Sequence, residues 1–525
     1  MSRRGSFFVA AGILLSRIFG LVRQRVIAHF LGQGVSSDIL TAAFRIPNFL
    51  QNLFGEGALS ASFIPSYSKL LGAGNDEDAR QLANAVLSLL ICTVTAIVLI
   101  GELAAPILVH LLVPDWTGAQ REITEKLVRI LFPAAGMLVI SAWCLGVLNS
   151  HRKFLLSYAT PVVWNTAIIV SVLAFGRGDN GRFILMACCG AVVGSALQIG
   201  VQWPVVRRVS GQIQLRSWRG VAGVRTVVAA FFPNMISRGA NQISAFIDLS
   251  IASYLPHGAV FAIANAQVLY TLPVSLFGMA VSAAELPEMA RERGDPETVA
   301  KALRIRLSGA TQRLAFYIVP SAMGFLTLGG VIAGAVFQTG AFKQQDSRYV
   351  WIVLAGSATG LLASTLGRLY ASTFYALHDT KTPLRCGIVR VILTGILGIL
   401  AAVVLPRSLG IDPKWGAAGL TASAGVAGWI EFALLRRGLC RRLGNFDLPT
   451  SELVRLWIAA LVAGVVGTAV RLAGEHHMGP IPMALLAVPA NAVVYLVVTS
   501  WWDIPEAAVL TGRIRHALKE GWQSV

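Results

Sequence analysis

The sequence predicts an all-α protein that crosses a membrane about fourteen times, and three observations carry that expectation. Hydrophobic residues make up 55% of the 525 positions, while only 13% are charged. Apolar runs long enough to span a bilayer recur along the whole chain. Basic residues gather in alternate loops between those runs. A soluble chain carries about 25% charged residues, so this one has too few to cover a soluble surface. That excludes a soluble enzyme, a disordered chain and a secreted disulfide scaffold.

Each span needs about 20 mostly apolar residues. The first covers roughly 6–30; its apolar pattern continues past Arg17 and Arg23 without a cleavage site, so it reads as a membrane helix rather than a leader. The second covers 36–69. The rest follow at roughly 83–113, 124–148, 154–175, 183–206, 223–255, 258–286, 309–337, 350–378, 383–405, 415–438, 455–473 and 480–502. An even count places both termini on one side. The loops after even-numbered spans hold Arg152 and Lys153, Arg207 and Arg208, Arg291 and Arg304, Lys381 and Arg385, and Arg436 to Arg442. The first outward loop, 32–37, has no Lys or Arg. The positive-inside rule therefore predicts that both termini are cytoplasmic. The net charge of +18 is largely this topology signal, and a nucleic-acid partner is not expected. Between spans eight and nine, Asp295-Pro296-Glu297 reads as the N-cap of a short amphipathic helix over 288–306.

The sequence partly repeats at a spacing of about 222–227 residues, far beyond a solenoid period. Ser16-Arg17, Ala28 to Leu31, Pro47, Ser60 and Pro65 echo Ser237-Arg238, Ala252 to Leu255, Pro273, Ser282 and Pro287. Leu148-Asn149-Ser150 echoes Ala376-Leu377-His378. Six spans per repeat make the repeat parallel, with both halves entering from the same side. The expected lobes are 1–220 and 221–442, related by a pseudo-two-fold, with 443–525 adding two helices and a cytoplasmic tail.

Charges inside spans are costly and usually mark a pathway. Spans one and two hold Arg17, Arg23, Arg25, Asp38, Arg45 and Glu56. On a continuous helix Asp38, Arg45, Asn52 and Glu56 fall within about 40° of one another and cover about 27 Å of rise. A polar stripe of that length lines water or protein, and the excess of arginine suits an anion, since guanidinium grips phosphate in a bidentate fashion. In the second half Arg238, Asp248, Glu285, Arg313, Arg368, Arg390 and Glu431 look scattered, with Arg390 placed to snorkel toward the cytoplasmic face. His476-His477 reads as a solvated pair. The cysteines, Cys92, Cys144, Cys188, Cys189, Cys386 and Cys440, lack metal spacing and read as packed thiols. A membrane glycosyltransferase or phosphatase would need a carboxylate or histidine set, often with a metal, and the sequence offers none.

Several motifs resemble the MurJ (MviN) family. They are Ser16 to Arg23, Asp38, Phe44-Arg45-Ile46-Pro47-Asn48, Phe54 to Ser60 and Phe63-Ile64-Pro65. Gln242-Ile243, Asp248, Leu272-Pro273 and Phe374-Tyr375-Ala376 with Asp379 to Pro383 extend the likeness over the chain. The resemblance implies a fourteen-helix MATE-like (MOP superfamily) fold and outward transport of lipid II, the undecaprenyl-diphosphate-linked peptidoglycan precursor, by alternating access. It implies cavity roles for Arg17, Arg23, Asp38, Arg45 and Glu56, with Asn52 near a position that is commonly basic. Gln267-Val268 stands where the family carries an Asp/Asn-Arg pair, and polar positions of helix eleven fall near Thr394 and Gly398. Asp248 and Thr394 are the candidates for an ion or gating role. No cofactor or metal is expected; the cycle would draw on membrane potential or a coupling cation, Na+ or H+. The expected partners are lipid II, the bilayer and cell-wall synthesis proteins. An exporter of another lipid-linked oligosaccharide, a multidrug exporter of the same fold and a scaffold for cell-wall enzymes are the rival functions.

Overall fold

The computed structural model describes residues 3–512 apart from 55, 216, 222, 293, 294, 447, 475 and 476. The side chains of 3–11, 47, 56–58, 234, 236–241 and 296 also lie outside the description, and with them Pro47, Glu56 and Arg238. His476 is likewise outside it. The described residues form helices and turns, with one isolated bridge between Thr339 and Phe342.

The chain divides into two compact units, with the boundary after Phe261. The first holds α1 (Arg3–Leu31), α2 (Val35–Phe54), α3 (Glu56–Gly72), α4 (Asp76–Leu112), α5 (Gly118–Ser150), α6 (Phe154–Ala159), α7 (Pro161–Phe175), α8 (Asn180–Ser210) and α9 (Val224–Ala252). Helix α10 (Ala259–Pro273) crosses the boundary and runs through a π-helical turn, Val274–Met279, into α11 (Ala280–Arg291). The second unit continues with α12 (Pro296–Phe337), α13 (Gln344–Ala358), α14 (Leu361–Ala376) and α15 (Lys381–Ile399). After a second π-helical turn, Leu400–Val404, come α16 (Leu405–Leu409), α17 (Trp415–Leu443), α18 (Thr450–Gly474) and α19 (Pro480–Trp501).

Ten helical stretches among the described residues are long and apolar enough to cross a membrane. The pair α13 and α14, bent by 43°, makes an eleventh. The chain is thus an all-α, multi-pass membrane protein. The other three expected spans are helical too (α1, α2 with α3, and α9), and each includes side chains outside the description. The bend between α13 and α14 has a packing cause. There α17 crosses at Gly425, and a Cβ on Gly425 would sit 2.5 Å from the Thr359 Oγ1 and 2.9 Å from the Gly360 nitrogen. Only glycine permits so close a backbone approach.

Apolar helices gain little by leaving lipid for one another, so packing and interhelical hydrogen bonds hold the units together. In the first unit Phe63, Tyr67, Leu82, Val86, Trp143 and Val227 pack α3, α4, α5 and α9 into one core. A buried polar chain ties α5 to α8 and to Thr160 at the start of α7. Gln198 donates to the Ser141 hydroxyl (2.9 Å), Ser141 to Gln202 (3.0 Å), and Gln202 to Thr160 (2.8 Å). In the second unit α18 and α19 pack on α12, where the Tyr495 hydroxyl donates to the Phe316 carbonyl at 2.8 Å.

Two expectations change. The amphipathic helix over 288–306 is not separate: α12 begins at Pro296 and continues for 42 residues. Asp295 is its N-cap, as expected; its carboxylate accepts from the Thr298 N–H and hydroxyl, which hold it below the usual carboxylate range. The echo of 148–150 in 376–378 also shifts register. Helices α5 and α14 end in matching backbone patterns, with Arg152 (φ 60°) and His378 (φ 57°) in the left-handed position. Helix α19 closes the same way at Asp503 (φ 52°), so this cap is a general device here.

Candidate functional site

Arg17 and Arg23 are six residues apart on α1, which sets them about 120° apart around the helix. Arg17 is exposed, whereas Arg23 is partly buried. The Arg23 guanidinium lies 4.9 Å from the Trp164 ring centre and 6.0 Å from that of Phe44. The two rings meet edge to face at 6.1 Å, and the indole N–H of Trp164 donates to the Ala191 carbonyl at 3.2 Å. Helices α2, α7 and α8 thus fix an aromatic clasp for a cation from α1. Neither arginine makes an ion pair among the described residues. The π faces orient Arg23 without cancelling its charge.

Arg45, on α2, lies within electrostatic range of Asp248 on α9. A residue expected to serve ions thus faces a cation of its own unit. Asn52, two turns beyond Arg45, is exposed. Glu56 opens α3; its place on the polar stripe depends on a helix continuous through residue 55, outside the described residues.

Asp38 does something the stripe did not suggest. It is 2% exposed, and its carboxylate accepts from the Gly258 N–H at 2.6 Å and the Phe261 N–H at 2.8 Å. It therefore caps the amino end of α10, where free N–H groups and the helix dipole favour a negative charge. Both oxygens are engaged. Gly258 has φ of 91°, and a Cβ there would meet the Gln33 side chain at 2.9 Å, so glycine is required beside the cap.

The second unit holds charges that looked scattered in sequence. Arg390 does not snorkel: it pairs with Glu431 of α17 at 3.1 Å. Arg368 of α14 and Tyr270 of α10 are within electrostatic range of that pair, and the Tyr270 and Ser364 hydroxyls are 2.6 Å apart. Thr394, one turn beyond Arg390 on α15, is 1% exposed and its hydroxyl has no partner among the described residues. Elsewhere in the second unit a separate ladder joins α11 to α12. Arg306 reaches Glu292 at 2.6 Å and Glu288 at 3.6 Å, and Arg313 pairs with Glu285. At the α14–α15 turn, Asp379 accepts from the Thr382 hydroxyl at 2.6 Å and pairs with Arg442 at 2.6 Å; the Thr382 hydroxyl is the main reason its carboxyl sits below the usual range. All six cysteines are free, and no group of three or more potential metal ligands occurs among the described residues.

The chain is similar to known proteins along most of its length. The family model described as "Lipid II flippase MurJ" matches residues 27–486. The probable lipid II flippase MurJ of Rhizobium meliloti is 28% identical over 483 residues, covering 91% of this chain and 87% of the relative. That of Bdellovibrio bacteriovorus is 30% identical over 479 residues, covering 88% and 86%. Among solved structures, a lipid II flippase MurJ in an inward closed conformation aligns with a TM-score of 0.77 at 22% identity, covering 94% of this chain and 98% of that one. An inward-facing MATE-family multidrug resistance transporter of the MOP superfamily aligns at 0.63 and 15% identity, covering 81% and 95%, a likeness of fold alone. Given a matched segment that takes in nearly the whole chain, from within α1 to within α19, the protein belongs to the MurJ family of lipid II flippases.

Proposed function

We propose that this chain carries lipid II from the inner to the outer leaflet of a bacterial cytoplasmic membrane, as a transporter that makes and breaks no covalent bond. The observation that carries the reading is Arg23. Its cation is oriented by Trp164 and Phe44, lies about 12 Å of helix rise from the end of α1, and has no carboxylate partner among the described residues. A charge kept uncompensated at that depth is costly unless an anion visits it. A diphosphate is such an anion, and exposed Arg17 supplies a second guanidinium on the same helix.

In this reading Arg17 and Arg23 receive the diphosphate, Arg45 and Asn52 extend the polar face of α2, and Glu56 stands at its far end. Asp38 acts as a latch on the outward side: its cap on α10 holds while cargo loads and releases as the headgroup leaves. Asp248, facing Arg45, and Thr394 are the residues we propose for ion coupling or gating. Moving charge through the field makes the cycle sensitive to membrane potential, by about 2.3 kcal/mol per charge per 100 mV. The full set of fourteen spans, the two repeated six-helix lobes at 1–220 and 221–442, the terminal region 443–525 and cytoplasmic termini belong to the same proposal. The test is depletion of the protein in living cells with labelled lipid II followed across the membrane. Outward transport should fall with depletion; transport that continues unchanged after the protein is gone would contradict the function.

A further inference from the structure

We propose that Arg368 and Arg390, with Tyr270, Tyr375 and Glu431, form a second binding subsite for the diphosphate of a lipid-linked substrate, within the C-terminal unit. The inference rests on the cargo class proposed above and adds a site to it.

Four features lead to it. The first is charge. Arg390 is balanced by Glu431 at 3.1 Å, while Arg368 makes no ion pair among the described residues. The cluster therefore keeps one net positive charge. The second is donors. The Tyr270 hydroxyl, held 2.6 Å from the Ser364 hydroxyl, is in electrostatic range of both arginines, and Tyr375 is in range of Glu431. A Cβ placed on Gly367 would lie 3.9 Å from a Glu431 oxygen, which brings α14 and α17 together at this point.

The third feature is exposure. Helix α14 is buried nearly all round; its accessible positions are Ser364, Arg368, Ala371, Tyr375 and the terminal Ala376. The first four follow the i, i+4, i+7, i+11 spacing of a single helix face. In contrast, the open face of neighbouring α15 is Leu384, Ile388, Ile392 and Ile396, which is what lipid contact requires. An arginine at the centre of the α14 face would be costly against hydrocarbon, so that stripe lines water.

The fourth is depth. Arg368 stands about 12 Å of helix rise before the end of α14 and Arg390 about 13 Å after the start of α15, so both lie near mid-membrane in a core about 30 Å thick. The unpartnered Thr394 hydroxyl is one turn further along α15. A guanidinium pair flanked by phenols recognises a phosphate oxyanion in preference to a neutral sugar.

The experiment uses the full chain in lipid nanodiscs and measures binding of undecaprenyl diphosphate, undecaprenol and phosphatidylglycerol. Arg368→Gln should weaken undecaprenyl diphosphate at least tenfold, with Arg368→Lys intermediate and undecaprenol unaffected by either. Glu431→Gln, which unmasks Arg390, should tighten it severalfold. A purely structural cluster predicts instead that Arg368→Gln and Glu431→Gln weaken binding together, and that result, or equal affinity for wild type and Arg368→Gln, overturns the subsite while leaving the cargo reading intact. Phosphatidylglycerol bound as tightly as undecaprenyl diphosphate, with the same dependence on Arg368, assigns the site to bulk phospholipid and overturns the diphosphate proposal. Wild type that binds no undecaprenyl diphosphate overturns both the subsite and the cargo class.

Discussion

The two units handle membrane-embedded arginines in different ways. In the first, Arg23 is held by the faces of Trp164 and Phe44 and keeps its full charge. In the second, Arg390 is matched by Glu431, and the cation left over is its neighbour Arg368. A third arrangement, the Arg306 and Arg313 ladder on Glu285, Glu288 and Glu292, matches arginines with carboxylates between two helices. The contrast separates arginines that hold helices together from arginines available to an anion. Fully matched guanidiniums stabilise helix contacts; a cluster with a cation to spare, such as Arg23 on its rings or Arg368 beside the Arg390–Glu431 pair, remains to bind.

That comparison can be broken in several places. The largest effect is expected at exposed Arg17. Arg17→Ala should cut lipid II transport by about 10- to 160-fold, the loss of a charge-assisted contact of about 1.5–3 kcal/mol, with membrane levels unchanged. Full growth rescue by this variant in depleted cells would remove Arg17 from the mechanism. Next is the aromatic clasp. Trp164→Leu keeps an apolar side chain but loses the π face, worth about 0.5–2 kcal/mol, so transport should fall about 2- to 30-fold. Trp164→Phe should recover most of it if the ring, and not its bulk, positions Arg23.

A smaller effect is expected at the latch. Asp38→Asn keeps the shape and loses the charge that faces the α10 amino end, an interaction of about 0.3–1 kcal/mol. A cysteine placed at Gln33 should then label from the outside about 2- to 5-fold faster. Unchanged labelling would mean that the cap needs no charge. The smallest is at His151, which shares a 3.0 Å hydrogen bond with Tyr67 and whose burial lowers its pKa from the usual value. The unfolded chain then takes up the proton first. Stability contributed by neutral His151 is present above about pH 6.5 and is lost as pH falls below it toward the folded value. Thermal stability should decline across that window in the wild type and decline less in His151→Gln.

How much was visible in the sequence follows from what each feature is made of. The first two spans carry their charges in one contiguous stretch, so Arg17, Arg23 and Arg45 stood out before any fold was known. The clasp did not, because Trp164 comes from α7 and an apolar run gives no sign of which tryptophan will face a cation. The partners of Asp38 were invisible for another reason: they are backbone N–H groups at 258 and 261, which any residue but proline supplies. Gly258 was the one readable trace of that cap. Arg368, Arg390 and Glu431 lie on three helices, and only tertiary packing turns scattered single charges into a cluster. Spans defined by apolar length were legible for the opposite reason, since bilayer thickness acts on every helix alike. The separate helix expected before span nine failed because Asp295 caps a helix that has no reason to stop before Phe337.

The most direct measurement compares an unpaired arginine with a paired one. Outward movement of labelled lipid II is followed in cells depleted of the wild-type protein and supplied with either Arg23→Gln or Arg313→Gln, at matched membrane levels. Arg23→Gln is expected to cut transport nearly as far as Arg17→Ala does, while Arg313→Gln, which only loosens the Glu285 ladder, retains most of it. Normal transport by Arg23→Gln would contradict the account.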